Sequence, residues 1–155
     1  MLIRPFRPAD APVLAAQYHA SVHGAGGRYY TPAQLAAWSP APADPARYLR
    51  QAAGRIFLVA EDAGGTVIGY GDLEPDGHID HLYCHPDAIG TGVGAALYAA
   101  LEQAARRAGI ARLFVEASEN ARPLFERRGF TVDARNDFER NGVAIHNYRM
   151  SKDLA

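Results

Sequence analysis

The chain has 155 residues, of which 48% are hydrophobic and 21% charged, enough to bury the core of one domain without cross-links. Sixteen lysine and arginine residues against seventeen aspartate and glutamate residues leave a formal charge of −1, which disfavours a dedicated nucleic-acid binder. The single cysteine, Cys84, excludes an intrachain disulfide and a cysteine-cluster zinc site. Neither a bilayer-spanning apolar run nor a signal-peptide core is present. We therefore expect one cytoplasmic domain over residues 1–155, with no membrane or nucleic-acid partner.

The N-terminal third has the pattern of one short strand followed by helices. Apolar residues recur at helical spacing before the glycine-rich segment 24–27, which predicts the end of the first helix. The second helix opens with a capping box, in which Thr31 is the cap, Pro32 takes the first position and Gln34 follows. The predicted elements are a strand over 2–6 and helices over 10–23, from 32 onward, and over 45–53.

The rest of the chain alternates strands with two further helices. Strand-forming runs are separated by glycine and proline turns, and Asn141-Gly142 is a strong type I′ hairpin signal. The order therefore predicts a mixed α/β (α+β) sheet rather than a regular βαβ fold. The predicted strands are 55–60, 66–73, 78–84, 112–117, 130–140 and 143–152, and the predicted helices are 92–108 and 121–128.

A glycine-rich loop joins the predicted strand 78–84 to the long helix that follows it. Gly90, Gly92 and Gly94 allow several backbone N–H groups to approach one ligand, and a helix N-terminus adds unpaired donors. This pattern suits a phosphate or pyrophosphate, although a tight turn gives the same spacing. The loop lacks the Gly-Lys-Ser/Thr of an ATP-binding P-loop. It follows an antiparallel strand in mid-chain, which also disfavours a dinucleotide-binding fold.

Two separated segments resemble the GNAT superfamily of N-acetyltransferases. They are Ile89-Gly90-Thr91-Gly92-Val93-Gly94 and the block from Ala117 to Phe130. The resemblance extends over nearly the whole chain and includes the order of the strands. It implies a mostly antiparallel sheet of about seven strands flanked by helices and splayed between the fourth and fifth strands. It also implies direct acetyl transfer from acetyl-CoA to a primary amine of a small molecule or peptide, without a metal.

The resemblance assigns cofactor-binding residues one by one. The loop amides would hold the CoA pyrophosphate, and the edge of the strand 78–84 would pair with the pantetheine amides like an added strand. Ser118 takes the position of an asparagine that is common in the following strand. The implied set is Leu82, Tyr83, Cys84, Gly90, Thr91, Gly92, Val93, Gly94 and Ser118.

Three positions depart from the family pattern. Ile89 replaces an arginine or glutamine, and Ser118 replaces the asparagine. Phe125 replaces a tyrosine that often protonates the leaving thiolate, and a phenyl ring has no proton to give. These departures keep an alternative open, a catalytically degenerate acyl-CoA-binding sensor module. A purely structural α/β domain is a third alternative, which the paired motifs disfavour.

The resemblance also suggests a general base on the strand 78–84. Strict alternation would put His78, Asp80, Leu82 and Cys84 on one face, and we expect Asp80, with His78, to accept the amine proton. A structural, hydrogen-bonded carboxylate is the competing interpretation of Asp80. His81 is interpreted as a packing histidine, and Cys84 as a small buried residue rather than a nucleophile. A metal site of these histidines is disfavoured because alternation points His78 and His81 apart.

The acceptor pocket is expected in the irregular N-terminal part of the chain. Tyr29 and Tyr30 precede a helix start in a glycine-rich loop, and Trp38 lies on that helix. No charged run indicates the charge of the acceptor. The edges of the final hairpin are compatible with a homodimer.

Overall fold

The structure, a computed structural model, describes residues 1–26, 29–41 and 44–155. The described residues form seven strands and five α-helices, with short 3-10 turns at Pro8–Asp10 and Pro86–Ala88. The strands are β1 (Leu2–Pro5), β2 (Ile56–Glu61), β3 (Val67–Leu73), β4 (His78–Cys84), β5 (Arg112–Ala117), β6 (Thr131–Arg140) and β7 (Val143–Asp153). The helices are α1 (Ala11–Gly26), α2 (Pro32–Trp38), α3 (Pro45–Ala52), α4 (Val93–Arg107) and α5 (Arg122–Arg127).

All seven strands belong to one sheet in the order β1-β2-β3-β4-β5-β7-β6. Every neighbouring pair is antiparallel except β4 and β5, which run parallel. The predicted element order and the mixed, mostly antiparallel sheet are therefore confirmed. In the final hairpin only β6 lies at an edge of the sheet, because β7 pairs with both β5 and β6. None of the described helices is long and apolar enough to cross a bilayer.

The turn and cap signals of the sequence determine several of these boundaries. Thr31 accepts the Gln34 N–H at 3.1 Å, and the Gln34 side chain accepts the Thr31 N–H at 2.9 Å, so the predicted capping box is confirmed. Asn141 and Gly142 have φ values of 52° and 76°, as a type I′ turn requires. Helix α1 continues to Gly26, beyond the predicted end at His23, and Gly27 of the predicted stop lies outside the described residues.

The sheet separates two apolar layers. One layer holds residues of α1, α2 and α3 against β2 and β3, with Leu14, Tyr48 and Tyr70 almost fully buried. The other packs α4 and α5 against β4 and β5, with Leu101 and Phe125 at its centre. Burial of such side chains contributes about 25 cal/mol per Å² of apolar surface, so the two layers supply the main stabilisation of the fold.

Two glycines of β3 determine how closely α4 approaches the sheet. A Cβ at Gly69 would lie 3.0 Å from Leu97, and a Cβ at Gly71 would lie 3.0 Å from Leu101. Both distances are tighter than ordinary van der Waals contact, so larger residues would push the helix outward. The N-terminus of α4 is therefore held close to β3 and to its neighbour β4.

The parallel pairing of β4 and β5 is very short. Only two pairs of residues are in register, His78 with Phe114 and Ile79 with Val115. Beyond them the two strands diverge, which confirms the expected splay between the fourth and fifth strands. The gap leaves the carboxyl half of β4 without a hydrogen-bonded neighbour on the β5 side.

A β-bulge in β4 breaks the predicted alternation of side chains. Asp72 is in register with His81, whereas Leu73 is in register with Ile79, so Asp80 is the extra residue. As a consequence Ile79 packs with Leu82 in the layer below α4, although the two have opposite parity. The prediction that His78, Asp80, Leu82 and Cys84 share one face was therefore wrong, because the bulge shifts the register by one residue.

A buried ion pair joins β1 to the start of α1. The Arg4 guanidinium donates two hydrogen bonds of 2.9 Å to Asp10, and a third of 2.9 Å to Glu61 on β2. Asp10 also accepts the Arg7 N–H at 2.8 Å. Since the Arg4 and Asp10 side chains are only 10% and 8% exposed, removal of one partner would leave a buried charge poorly compensated.

We expect Asp10→Ala to lower the free energy of unfolding by about 3 kcal/mol, because it leaves Arg4 buried with Glu61 alone. Urea denaturation at pH 7 measures this change. The control is Asp137→Ala, which removes an exposed partner of Arg135 and should cost less than about 1 kcal/mol. Equal losses in the two variants would contradict a special role for the buried pair.

Candidate functional site

The gap between β4 and β5 opens into a cleft of about 490 Å³. Its walls come from both apolar layers, so the cleft passes through the sheet from the side of α4 and α5 to the side of α1 and α2. The lining residues on the first side include Gly90, Gly92, Gly94, Ala95, Asn120, Leu124 and Phe125. Those on the second side include Val22, Tyr30, Leu35 and Trp38, and Asp80 and Glu116 also line the cleft.

The glycine loop forms the α4 end of the cleft. Gly90 and Gly92 have φ values of 80° and 90°, a left-handed conformation that favours glycine. The first intrahelical bond runs from the Ala96 N–H to the Gly92 carbonyl at 3.0 Å. The N–H groups of Gly92, Val93 and Gly94 precede it and have no intrahelical acceptor. This loop can therefore present several donors and the positive end of the α4 dipole to one anion.

The predicted cofactor residues fall into two groups. Seven of them line the cleft, namely Leu82, Tyr83, Cys84, Gly90, Gly92, Gly94 and Ser118. The other two do not, because the Thr91 hydroxyl donates to the Ala88 carbonyl and the Val93 side chain is buried below the loop. Their contribution is limited to backbone groups.

The predicted acceptor residues are also divided. Tyr30 and Trp38 line the cleft on the α2 side, whereas Tyr29 is 45% exposed and does not line it. The Tyr30 hydroxyl accepts the Glu119 N–H at 3.0 Å and donates to the His146 carbonyl at 3.2 Å. Tyr30 thereby connects the segment before α2 to the loop after β5 and to the final hairpin.

Asp80 lines the cleft as an ionised, paired carboxylate. Its Oδ2 atom accepts a 2.9 Å hydrogen bond from Arg55, which also donates a 2.8 Å bond to the fully buried Asp72. Burial raises the pKa of Asp80, but the charge of His81 and the hydrogen bond from Arg55 outweigh it and hold this pKa below its ordinary value. The contacts of Asp80 with Arg55 and with His81 both use Oδ2. Oδ1 is therefore the oxygen that does not hold Arg55.

His78 lies behind this carboxylate rather than in the wall of the cleft. Its ring nitrogens are 2.7 Å from Glu74 and 2.5 Å from Glu116, and the ring stacks on Phe114. The hydrogen bond with Glu116 outweighs desolvation and, with that of Glu74, raises the pKa of His78 to about 9. At neutral pH His78 is therefore an imidazolium, which is a poor proton acceptor.

His81 and Cys84 are both packed against neighbouring residues. His81 is buried, and its Nδ1 lies 3.2 Å from both oxygens of Asp72, so the packing interpretation is confirmed. Cys84 is half-buried against the layer that holds Val93, and burial raises the pKa of its thiol. The thiol is thus less nucleophilic than an exposed one.

Phe125 replaces the expected tyrosine with a fully apolar contact. The ring is 1% exposed and meets the edges of Tyr98 and Phe130, at centroid distances of 6.1 and 5.0 Å. The neighbouring Tyr98 hydroxyl donates to Glu102 at 2.6 Å and does not line the cleft. The cleft near Phe125 is therefore shaped by packing rather than by a proton donor.

Sequence reasoning missed Glu116, Arg127 and the ion pairs of Arg55. Glu116 lies on β5 between the buried residues Val115 and Ala117, so its alternation with apolar neighbours was a usable signal. Arg55 immediately precedes a strand, and no local pattern links it to carboxylates on two other strands. Such partners become visible only once the sheet order is known.

We expect the His78 imidazole to titrate near pH 9 in the folded protein, and its pKa to fall in Glu116→Gln because the main partner loses its charge. NMR titration of the histidine Cε1–H resonances measures both values. Since the pKa of an unfolded histidine is about 6.5, this interaction stabilises the fold fully below that pH and is lost as the pH rises through 9. An unchanged titration in the variant would contradict the assigned contact.

Comparison with known proteins agrees with this architecture. Residues 28–152 match the family profile described as an acetyltransferase (GNAT) domain. A relative from Escherichia coli (strain K12), the uncharacterized N-acetyltransferase YafP, is 30% identical over 148 residues, which are 96% of this chain and 93% of the relative.

Solved structures give the same result. A GCN5-related N-acetyltransferase from Rhodopseudomonas palustris is 38% identical with a TM-score of 0.90, over 99% of this chain and 95% of that one. YncA from Salmonella typhimurium, solved with its cofactor acetyl-CoA, is 26% identical with a TM-score of 0.76, over 100% and 94% of the two chains. With its profile match, its relatives and its splayed sheet, the chain belongs to the GNAT family of acetyltransferases.

Proposed function

We propose that this chain transfers an acetyl group from acetyl-CoA to a primary amine of a small molecule or peptide, by direct attack and without a covalent enzyme intermediate. The observation that carries the proposal is the continuous cleft between the glycine loop and the Asp80 carboxylate. A phosphate site at one end and a proton acceptor at the other suit a reaction in which two substrates meet inside the sheet. Family membership supports the same chemistry.

The α4 end of the cleft offers CoA backbone donors and an unpaired strand edge. The amides of the loop 90–94 would hold the pyrophosphate, and the unpaired edge of β4 at Leu82–Cys84 would pair with the pantetheine amides. Acetyl-CoA supplies the acetyl group as a thioester. Ile89 is 48% exposed and cannot replace a cationic side chain, so the backbone donors would carry the phosphate contact. YncA with acetyl-CoA provides a precedent within the fold.

We assign the deprotonation of the amine to Asp80, directly or through a water molecule. A protonated amine cannot attack, so its nitrogen must lose a proton before the new C–N bond forms and the C–S bond breaks. Asp80 is ionised and keeps one oxygen clear of Arg55. His78, already protonated, would hold its neighbours in place rather than act as a second base.

The departing thiolate also needs a proton. Phe125 cannot supply one, and we assign this step to solvent, because the described lining residues near Phe125 include no acidic proton donor. One proton leaves the ammonium and one reaches the thiolate, so the transfer is balanced. Direct attack would then depend chiefly on positioning the two substrates in the cleft.

The glycine loop can be tested with Gly92→Asp and a matched control. The new carboxylate would face the pyrophosphate, so we expect the affinity for acetyl-CoA to fall about 100-fold or more by isothermal titration calorimetry. Gly109→Asp is the control, because Gly109 follows the other end of α4, has a φ of 76°, and also has open space at its Cβ. Wild-type affinity in Gly92→Asp, or equal losses in both variants, would refute the role of the loop.

Asp80→Asn tests the proton acceptor. Since the amide cannot accept the proton, we expect kcat to fall by about 100-fold, the usual range for a general base, with acetyl-CoA affinity almost unchanged. Release of CoA thiol, followed with a chromogenic disulfide, measures the rate. Asp133→Asn, an exposed site on β6, is the control. A normal kcat in Asp80→Asn would remove this residue as the base.

The same two assays separate the enzyme from the acyl-CoA-binding sensor, the alternative that Ile89, Ser118 and Phe125 keep open. Binding of acetyl-CoA without thiol release on polyamines, amino acids, aminoglycosides or peptide N-termini would favour the sensor. If acetyl-CoA does not bind, both the enzyme and the sensor interpretations of the cleft are wrong. Thiol release that depends on an added amine would support acetyl transfer.

A further inference from the structure

The polar end of the cleft carries an excess of negative charge. Among the described lining residues, the charged ones are Asp80, Glu116 and Arg127. Arg127 belongs to α5, whose Leu124 meets Gly94 on the α4 side of the sheet. Glu116 alternates on β5 with Val115 and Ala117, which pack in the α4 layer, so Glu116 lies on the other side of the sheet. Asp80 lies on that side too, beside His81, whose ring meets Tyr18 of α1. No lining residue of the described chain on that side is a cation.

The charged groups behind this end do not cancel the excess. They form one connected cluster in which each cation is already shared between carboxylates. Even if both of its histidines are protonated, the cluster has three positive groups and four carboxylates, so one negative charge is left over. The cluster consists of Asp72, Glu74, Asp80 and Glu116 with Arg55, His78 and His81.

One further cation lies beside Glu116, but among the described residues it forms no ion pair with this carboxylate. Arg149 is opposite Glu116 in the β5–β7 register, and its guanidinium reaches Asn136 on β6 at 3.5 Å. Glu116 is itself 44% exposed, and its contact with His78 uses Oε2. Since Glu116 is also a lining residue of the cleft, a cation bound there can reach this side chain.

The rest of the wall on this side of the sheet is apolar and aromatic. It is formed by Tyr30 and Trp38 with Val22 and Leu35. Such a surface accommodates an alkyl chain and favours an ammonium group over the face of an aromatic ring. It would disfavour a carboxylate, because no cation on this wall compensates the lost hydration.

We infer that Glu116 is a specificity-determining residue that selects, for the proposed acetyl transfer, small aliphatic diamines and polyamines over monoamines and amino acids. One ammonium of the acceptor gives its proton to Asp80, and its nitrogen forms the amide while the C–S bond breaks. The other ammonium stays protonated against Glu116. This inference rests on the proposed function and adds the class of acceptor.

Three amines of the same chain length test the inference: 1,5-diaminopentane, pentylamine and 5-aminopentanoate. They differ only in a distal group that is positive, neutral or negative. We expect kcat/KM for acetylation to be about tenfold higher for the diamine than for pentylamine, and lowest for the amino acid, since one charge contact of this kind changes affinity by about this factor.

Glu116→Gln should reduce the preference of the diamine over pentylamine to about twofold or less, through KM rather than kcat. Glu139→Gln, an exposed glutamate of β6, should keep the wild-type preference. Equal losses for both amines in Glu116→Gln would assign Glu116 a structural role and overturn the inference.

Failure of the proposed acetyl transfer can be distinguished from failure of the inference about the acceptor. Calorimetry with acetyl-CoA reports on the cofactor end of the cleft, independently of any amine. Binding of acetyl-CoA with pentylamine or 5-aminopentanoate acetylated as fast as the diamine overturns the inference alone. A protein that binds acetyl-CoA and acetylates other amines, but neither acetylates nor binds the diamine, also overturns the inference alone. Loss of acetyl-CoA binding itself removes the proposed function.

Discussion

The short contact between β4 and β5 is the constraint on which the site depends. Two register pairs, at His78 and Ile79, are enough to hold the strands in one sheet. Any longer pairing would close the gap, and the cleft would become ordinary β-sheet. The strands diverge beyond that point while each pairs on its other side, β4 with β3 and β5 with β7. Unpaired backbone groups are normally costly, so a sheet interrupted at its centre is suited to an occupant that hydrogen-bonds like a strand.

The bulge at Asp80 adds the polar chemistry to this gap. Without the extra residue, alternation would turn every second side chain of β4 towards α4. With it, Ile79 and Leu82 both pack below that helix, and Asp80 reaches Arg55. The resulting cluster holds several carboxylates close together, which is unfavourable unless cations lie between them. Arg55 and His78 meet this requirement from behind, and Asp80 and Glu116 remain available to the cleft.

Sequence reasoning predicted the fold better than the site for a physical reason. Strand and helix limits depend on local signals, such as the Thr31 capping box or the Asn141-Gly142 turn, and these signals are contiguous in the chain. The face on which a side chain lies depends on register, and one bulge reverses it for the rest of a strand. His78 was expected beside Asp80 as a base for that reason. Its pairing with Glu116, which is 38 residues away in sequence, determines its protonation.

Two of the three departures from the family motif, Ile89 and Phe125, lie at the α4 end of the cleft. The resemblance implies a phosphate-binding side chain at the first position and a proton donor at the second. The backbone donors of the loop do not depend on side-chain identity, and the α5 packing around Phe125 is complete. The charged cluster on the opposite side has its own ion pairs and shares none with these positions. Under the proposed function, cofactor affinity and acceptor choice would be controlled by separate groups, so substitutions at Glu116 would alter which amine is acetylated without altering how acetyl-CoA is held.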